Sequence, residues 1–530
     1  MHSRILVPAA AVALAAVSLH AARPFPRAQV AAPTAGIAVV TRSDLAVAYL
    51  RFQTAYRSAR LDDAEMVRVN RAFDALTLLF FGRQFSQAVS QLDALTASLD
   101  PKGPLGVSPG VTAFCPRLEP PVAVRNAAVP TLRIDRLYEP ASPPAALPTT
   151  VRLRPAGTAS PIDLRIQAEA RADGQVSVTV RNLGALKKAG PGRYDVGFLV
   201  GGRFLPASAW SVVSALPSVR KTANASRLAA LSPRPELAQA AAAVAARNEL
   251  LADAPDPGDT TQLLIGPEEL ATALDAELAA LEKGRDPFMD RRGDYWRVVQ
   301  TETGSLPLRV YRPAGPPSGR PLPLVIVLHG AGGDENMFMD AYGGGLIRRL
   351  ADERGFLVAS PLTTGLAGPR GPAALGALMD VVRATYAVDT DRVYLIGHSA
   401  GASVAAALAR AAGRTFAAVA CFNGFAWPVD AGSDGVPPIR VVSGALDPIA
   451  SSARLEAAVR TAVSAGATVD YRSLPNQGHL LTVPAGLPEV VTWLLEKRRE
   501  GNALPASTRP RPELARPGER EDGDITRSRR

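Results

Sequence analysis

From Tyr295 onward, short unbroken apolar runs alternate with helix-length segments, and that alternation leaves few folds open. The runs read YWRVVQT, LPLRVYRP, PLVIVLHG, FLVASP, RVYLIG, FAAVACFNG, IRVVSGALD and TVDYRSLP. Helical segments fall up to Arg354, around Leu375 to Tyr386, after Ser399, from Ser452, and last up to Arg498. A strand that is apolar at successive positions has no solvent face. The pattern therefore predicts an α/β domain, a mostly parallel sheet with helices on both faces. Ligands bind such sheets at the carboxyl ends of the strands.

One of those ends reads DRVYLIGHSAGASVAAALAR, Asp391 to Arg410. Gly-x-Ser-x-Gly alone is weak in a chain this rich in glycine. Here a buried strand precedes it and an alanine-rich helix follows, the setting a nucleophile elbow requires. Gly397 and Gly401 are expected because side chains at both positions would collide across so sharp a turn. The turn lifts the Ser399 hydroxyl above the sheet edge, where the helix N-terminus favours developing negative charge.

A serine hydroxyl needs a base, and the chain has five histidines. His2 and His20 lie in the N-terminal segment. His398, beside the serine in the elbow, is expected to point away from it, and His329 to order the glycine-rich loop that follows it. His479, in SLPNQGHLL after the last strand, is left as the base. Asp447 in VVSGALDPIA gives the order Ser, Asp, His and would fix the tautomer of His479. Asp430 and Asp434 compete for that role from a Gly/Pro loop better suited to turns. The loop LHGAGGDEN, Leu328 to Asn336, predicts oxyanion donors in the amides of Ala331 and Ala400, with Gly332 as the alternative.

These phrases, PLVIVLHGAGGDEN, VDTDRVYLIGHSAGA, GALDPI and NQGH, resemble the α/β-hydrolase superfamily. The likeness is nearest to the polyhydroxybutyrate-depolymerase-like and feruloyl-esterase-like esterases. Dienelactone hydrolases and prolyl-oligopeptidase-type catalytic domains stand farther off. It covers about two-fifths of the chain, and Ala402 departs from it where many relatives carry another glycine. The resemblance implies a serine esterase working through an acyl-enzyme without a cofactor or metal. A prolyl-oligopeptidase-type serine peptidase is the alternative, and a non-catalytic binding protein on the same fold a third reading. About fifteen residues separate the strands ending near Asn423 and starting near Ile439, too few for a helical lid domain. The expectation is an open cleft lined by Tyr342, Phe425 and Trp427, taking a small-molecule or polymeric ester.

Upstream, residues 1–22 read as a signal peptide, with Arg4 before an apolar run from Ile5 to Leu19 too short to span a bilayer. Export to the periplasm or medium follows, with no integral span after signal removal. Residues 43–100 read as a helical hairpin capped by Ser43 and Asp44, and Pro101 to Pro148 as linker. A small antiparallel, sandwich-like β-domain is expected over 130–216, with hairpins at Asp173-Gly174 and Gly201-Gly202. A helical connector spans 224–285, the catalytic domain 290–499, and a disordered tail 500–530. The net charge of +10 is scattered, with no basic block interleaved with aromatics, so no nucleic-acid partner is expected. Of the two cysteines, Cys421 reads as a buried free thiol.

Overall fold

The computed structural model describes residues 37–99, 110–142, 144, 146–171, 175–231, 234–254, 265–315 and 321–499. The signal-peptide reading, the Asp173-Gly174 turn and the tail reading lie outside them.

The described residues begin with helices α1 (Arg42–Ser58), α2 (Asp63–Phe81) and α3 (Phe85–Leu99). There are thus three packed helices where the sequence suggested a hairpin. Thr41, not Ser43 or Asp44, caps α1. Its hydroxyl takes the Asp44 N–H while Asp44 takes the N–H of Thr41, a reciprocal box that puts Ser43 and Asp44 inside the first turn. Asp62 and Glu65 repeat the device at α2.

Strands β1 (Phe114–Glu119), β2 (Val122–Val124), β3 (Thr131–Arg136), β4 (Thr150–Pro155), β5 (Ile162–Ala170), β6 (Val176–Val180), β7 (Gly192–Val200) and β8 (Arg203–Val213) follow. They form a six-stranded sheet in the order β2-β8-β7-β4-β5-β6 and a separate β1–β3 ladder. β1 and β2 fall inside the stretch read as linker or irregular structure, while β3 falls within the expected β-domain. β1 and β2 are short, with Pro116 inside β1 and Pro120 and Pro121 between them, so periodicity has too few residues to register. Ladder, sheet and N-terminal helices share one hydrophobic core, which includes Phe52, Phe73, Cys115, Val196 and Trp210.

Helices α4 (Pro217–Ala230), α5 (Ala238–Glu249) and α6 (Pro267–Glu282) do more than connect. Val244, Leu270, Leu274 and Leu278 are buried in the same core as Val298, Leu308 and Leu395 of the next sheet. A buried ion cluster fixes this layer. Glu277 takes Arg247 Nε at 2.9 Å and Arg291 Nη1 at 2.6 Å, and Arg247 also donates to the Trp296 carbonyl at 2.7 Å. Glu277→Ala should strand a buried guanidinium and cost ~3 kcal/mol or more, read as a lowered urea midpoint.

The last part is an eight-stranded sheet, β16-β15-β14-β13-β11-β12-β10-β9. Its members are β9 (Gly293–Thr301), β10 (Gly304–Arg312), β11 (Leu322–Leu328), β12 (Leu357–Pro361), β13 (Val388–His398), β14 (Ala418–Phe422), β15 (Ile439–Gly444) and β16 (Val469–Leu474). The β9–β10 hairpin is antiparallel and meets β12 antiparallel, while the other pairs are parallel. Helices α7 (Leu346–Arg354), α8 (Gly371–Thr385), α9 (Ala400–Ala411), α10 (Ser452–Ser464) and α11 (Thr482–Leu495) cover it. Two separate buried clusters, one containing Ile326, Leu395 and Val441 and the other Val327, Ile396 and Val442, show that successive side chains enter opposite faces. This is the mostly parallel sheet with helices on both faces expected from the apolar runs, preceded by a helical segment and a β-region that is antiparallel except where β2 pairs β8.

Candidate active site

Ser399 links β13 to α9 with φ 54° and ψ −120°, a backbone conformation rare for a residue with a side chain. The surroundings hold it there. Its N–H donates to the Phe422 carbonyl at 2.8 Å, pinning the turn to β14. A Cβ on Gly397 would lie 2.3 Å from the Gly401 carbonyl oxygen, and one on Gly401 2.3 Å from that of Leu328. Both contacts are with main chain, so no side-chain rotation would relieve them. Gly424 is bound the same way, its missing Cβ 2.3 Å from the Ser399 carbonyl oxygen.

The structure brings Ser399, His479 and Asp447 together from three strand ends. His479 Nε2 stands 3.0 Å from Ser399 Oγ, and Nδ1 stands 2.7 Å from Asp447 Oδ2. The second oxygen of Asp447 accepts from the N–H groups of Ile449 and Ala450 at 2.7 and 2.8 Å. The carboxylate has only acceptors to offer, so Nδ1 carries the proton and Nε2 faces the hydroxyl as an acceptor. Asp430 and Asp434 are exposed on their loop.

His398 has another task. Nε2 donates to the His479 carbonyl at 3.0 Å, which leaves Nδ1 to accept from the Tyr342 hydroxyl at 2.7 Å. Burial, with a smaller contribution from His479, holds this imidazole well below the ordinary histidine range, so it is neutral. His329 is also buried. It accepts the Thr363 N–H on Nε2 at 3.0 Å, and Nδ1 donates to the Gly330 carbonyl at 2.8 Å, ordering the loop as expected.

Ala331, Gly332 and Ala400 are exposed at the rim. Ala400 opens α9, where backbone N–H groups lack helical acceptors. Gly330 approaches the elbow closely, since a Cβ on it would lie 3.1 Å from Ser399 Cβ. Gly332, with φ +73°, has Phe80 where its Cβ would be, and its carbonyl accepts from Arg42 at 3.2 Å.

The expected cleft lining does not hold. Tyr342, Phe425 and Trp427 are 1%, 6% and 6% exposed, and each is part of a hydrophobic core. Tyr342 supports His398 from behind, while the Trp427 indole donates to the Ala431 carbonyl at 3.2 Å. The apolar rings beside the loop of Ala331 and Gly332 are instead Phe80 and Phe81 of α2, the latter 53% exposed. Local sequence could not supply this, because α2 lies some 250 positions upstream.

Asn423 was also missed. Its Nδ2 donates to the carbonyls of Gly478 and His479 at 3.1 and 2.6 Å, and its Oδ1 accepts from the Gly444 N–H at 2.7 Å. An asparagine ending a buried strand just before a glycine was the available signal.

No curated protein matches the chain in sequence. Among solved structures, a thermostable esterase is 20% identical over 39% of this chain and 63% of its own, with a TM-score of 0.33. The S-formylglutathione hydrolase FrmB of Staphylococcus aureus is 16% identical over 39% of this chain and 98% of its own, with a TM-score of 0.32. A Bacteroides ovatus protein named for dipeptidyl aminopeptidase IV is 15% identical over 40% of this chain and 37% of its own, with a TM-score of 0.31. The alpha/beta hydrolase family matches residues 325–518. By that match, the sheet order and the elbow, the C-terminal part of this chain is a domain of the alpha/beta hydrolase family.

Proposed function

We propose that the chain is a serine hydrolase that cleaves carboxylic esters through an acyl-enzyme. The observation that carries this reading is the continuous hydrogen-bonded line Ser399–His479–Asp447 at the elbow. His479 Nε2 takes the hydroxyl proton as Ser399 Oγ bonds to the ester carbonyl carbon, and the carbonyl electron pair moves onto oxygen. The amides of Ala400 and Ala331 meet that oxyanion, each donor supplying ~3 kcal/mol of transition-state stabilisation. When the tetrahedral species collapses, the C–O bond to the alcohol breaks and His479 returns the proton to the leaving alkoxide. Water, activated by the same imidazole, then releases the acid and restores Ser399. Asp447 stabilises the imidazolium and stays ionised. The apolar segment Ile5–Leu19 supports export of this enzyme, which secretion of active protein into medium or periplasm would test.

The purified chain should release p-nitrophenol from acetyl, butyryl and octanoyl esters, and a fluorophosphonate should label Ser399. Alanyl p-nitroanilide, which demands protonation of an amine leaving group, should turn over at least ~100-fold more slowly. Turnover of the anilide alone would replace the esterase reading with a peptidase one. Inertness toward both substrates and the probe would leave a binding protein.

A further inference from the structure

Helix α2 runs along the loop that carries His479. Residues 63, 66, 70 and 74 of α2 are three or four apart and so share one face. Each meets a successive residue of the loop. Asp63 Oδ1 accepts from Asn476 at 2.8 Å, and Met66 Sδ lies 2.9 Å from Gln477 Nε2. Asn70 Oδ1 accepts the Gly478 N–H at 2.8 Å, and both oxygens of Asp74 share the His479 N–H at 3.0 and 2.9 Å. A Cβ on Gly478 would fall 2.0 Å from Asp74 Oδ2, so carboxylate and loop meet with no room for a side chain. Leu481, two residues after His479, is fully buried in the core built by the N-terminal helices and strands.

The His479 peptide is therefore held at both ends. Its N–H is gripped by Asp74 and its carbonyl by His398 and Asn423. The opposite loop is held from the same side, Gly332 by Arg42 of α1 and by the Phe80 ring of α2. A base displaced by about an ångström loses on the order of 100-fold in rate, so the main chain that carries the imidazole matters as much as its side-chain partners.

We propose that α2 forms a wall of the hydrolase site and that Asp74 is a positioning residue, holding His479 through its main-chain N–H from outside the hydrolase domain. This rests on the reading of Ser399 and His479 given above. The carboxyl of Asp74 is raised to about 6, with burial the largest cause. Two titratable groups face it from the hydrolase domain. His479 lowers its pKa and Asp447 raises it, while the N–H groups of His479 and Leu480 lower it. On the α1 side, burial raises the pKa of Tyr56, while Asn70 and Gln477 lower it. Above about pH 6 Asp74 is a carboxylate, and its charge then supports the imidazolium formed in turnover. As pH falls through that value the charge is lost, so Asp74 steepens the acid side of the rate profile.

The test compares the full-length protein with Asp74→Ala and Asp74→Asn on p-nitrophenyl butyrate across pH. It also follows hydrogen exchange of the segment 476–482 and thermal midpoints. Asp74→Ala should lower kcat about 100-fold with KM within about threefold, and should speed exchange of that segment. Asp74→Asn keeps one acceptor for the His479 N–H and should recover kcat to within about tenfold of the parent. It should also move the acid midpoint of kcat/KM to lower pH and make that limb shallower. An active parent with Asp74→Ala within twofold of it and exchange unchanged would overturn the inference. If Asp74→Ala does not fold, an Asp74→Asn profile superimposable on the parent's would overturn it as well. A parent inert toward esters and fluorophosphonate, in which Asp74→Ala still loosens the segment 476–482, would sink the hydrolase reading while leaving the α2 contact in place.

Discussion

Ser399→Ala and His479→Ala are each expected to reduce kcat on a p-nitrophenyl ester by about 10⁶, and the double variant by no more than either alone. The two side chains act on one proton, so losing one leaves nothing for the other to assist. Ser399 Oγ is 3.0 Å from Nε2, and Asp447 holds the far side of the ring at 2.7 Å. Asp447→Asn should cost about 10⁴ by favouring the tautomer that presents an N–H to the hydroxyl. Ser399→Ala should also abolish fluorophosphonate labelling. His398→Ala separates the two histidines. It leaves the base in place and loosens only its carbonyl, so it should retain far more activity than His479→Ala. Equal loss from both, or greater loss at position 398, would mean that the base is misassigned.

Gly401→Ala is expected to abolish activity and destabilise the fold, with a cost of ~3 kcal/mol or more. The new methyl would sit 2.3 Å from the Leu328 carbonyl oxygen and 2.5 Å from that of His329. Both atoms belong to the chain that leads from the central strand β11 into the Gly330 loop. Relief would push elbow and loop apart, and a shift of about an ångström at the nucleophile is worth on the order of 100-fold. Gly376→Ala is the control, since it lies inside α8 and a Cβ there meets nothing within 4 Å. That change should be neutral or stabilise by about 0.5–1 kcal/mol, as an alanine in a helix interior does. Urea unfolding and ester turnover on the pair check both statements.

The two predictions mark how far the sequence could be read. Gly397, Ser399 and Gly401 were legible because the elbow is made within a few residues, where sterics act between near neighbours. Asp447 and His479 were legible because they lie on loops that follow recognisable strands, β15 ending at Gly444 and β16 at Leu474. Tyr342, Phe425 and Trp427 were misread. An aromatic close to a site in sequence need not face it, and all three turn into the cores that support it. On α2, Asn70 and Asp74 lie within the buried face beside Val69 and Phe73. Two polar residues four apart on such a face could have been flagged, but no local pattern says what they meet.

The sequence alone determined the parallel sheet, the strained serine turn and the order Ser399, Asp447, His479 along the chain. Each of these follows from short-range periodicity or local sterics. Only the tertiary structure decided that the N-terminal helices lie against the loop of His479, and which rings are exposed beside the loop of Ala331 and Gly332. Those outcomes depend on complementary surfaces hundreds of residues apart, where Gly478 makes room for Asp74 and Leu481 enters another element's core. Such fits carry no periodic signature, because they are set by the packing of folded surfaces rather than by neighbours along the chain.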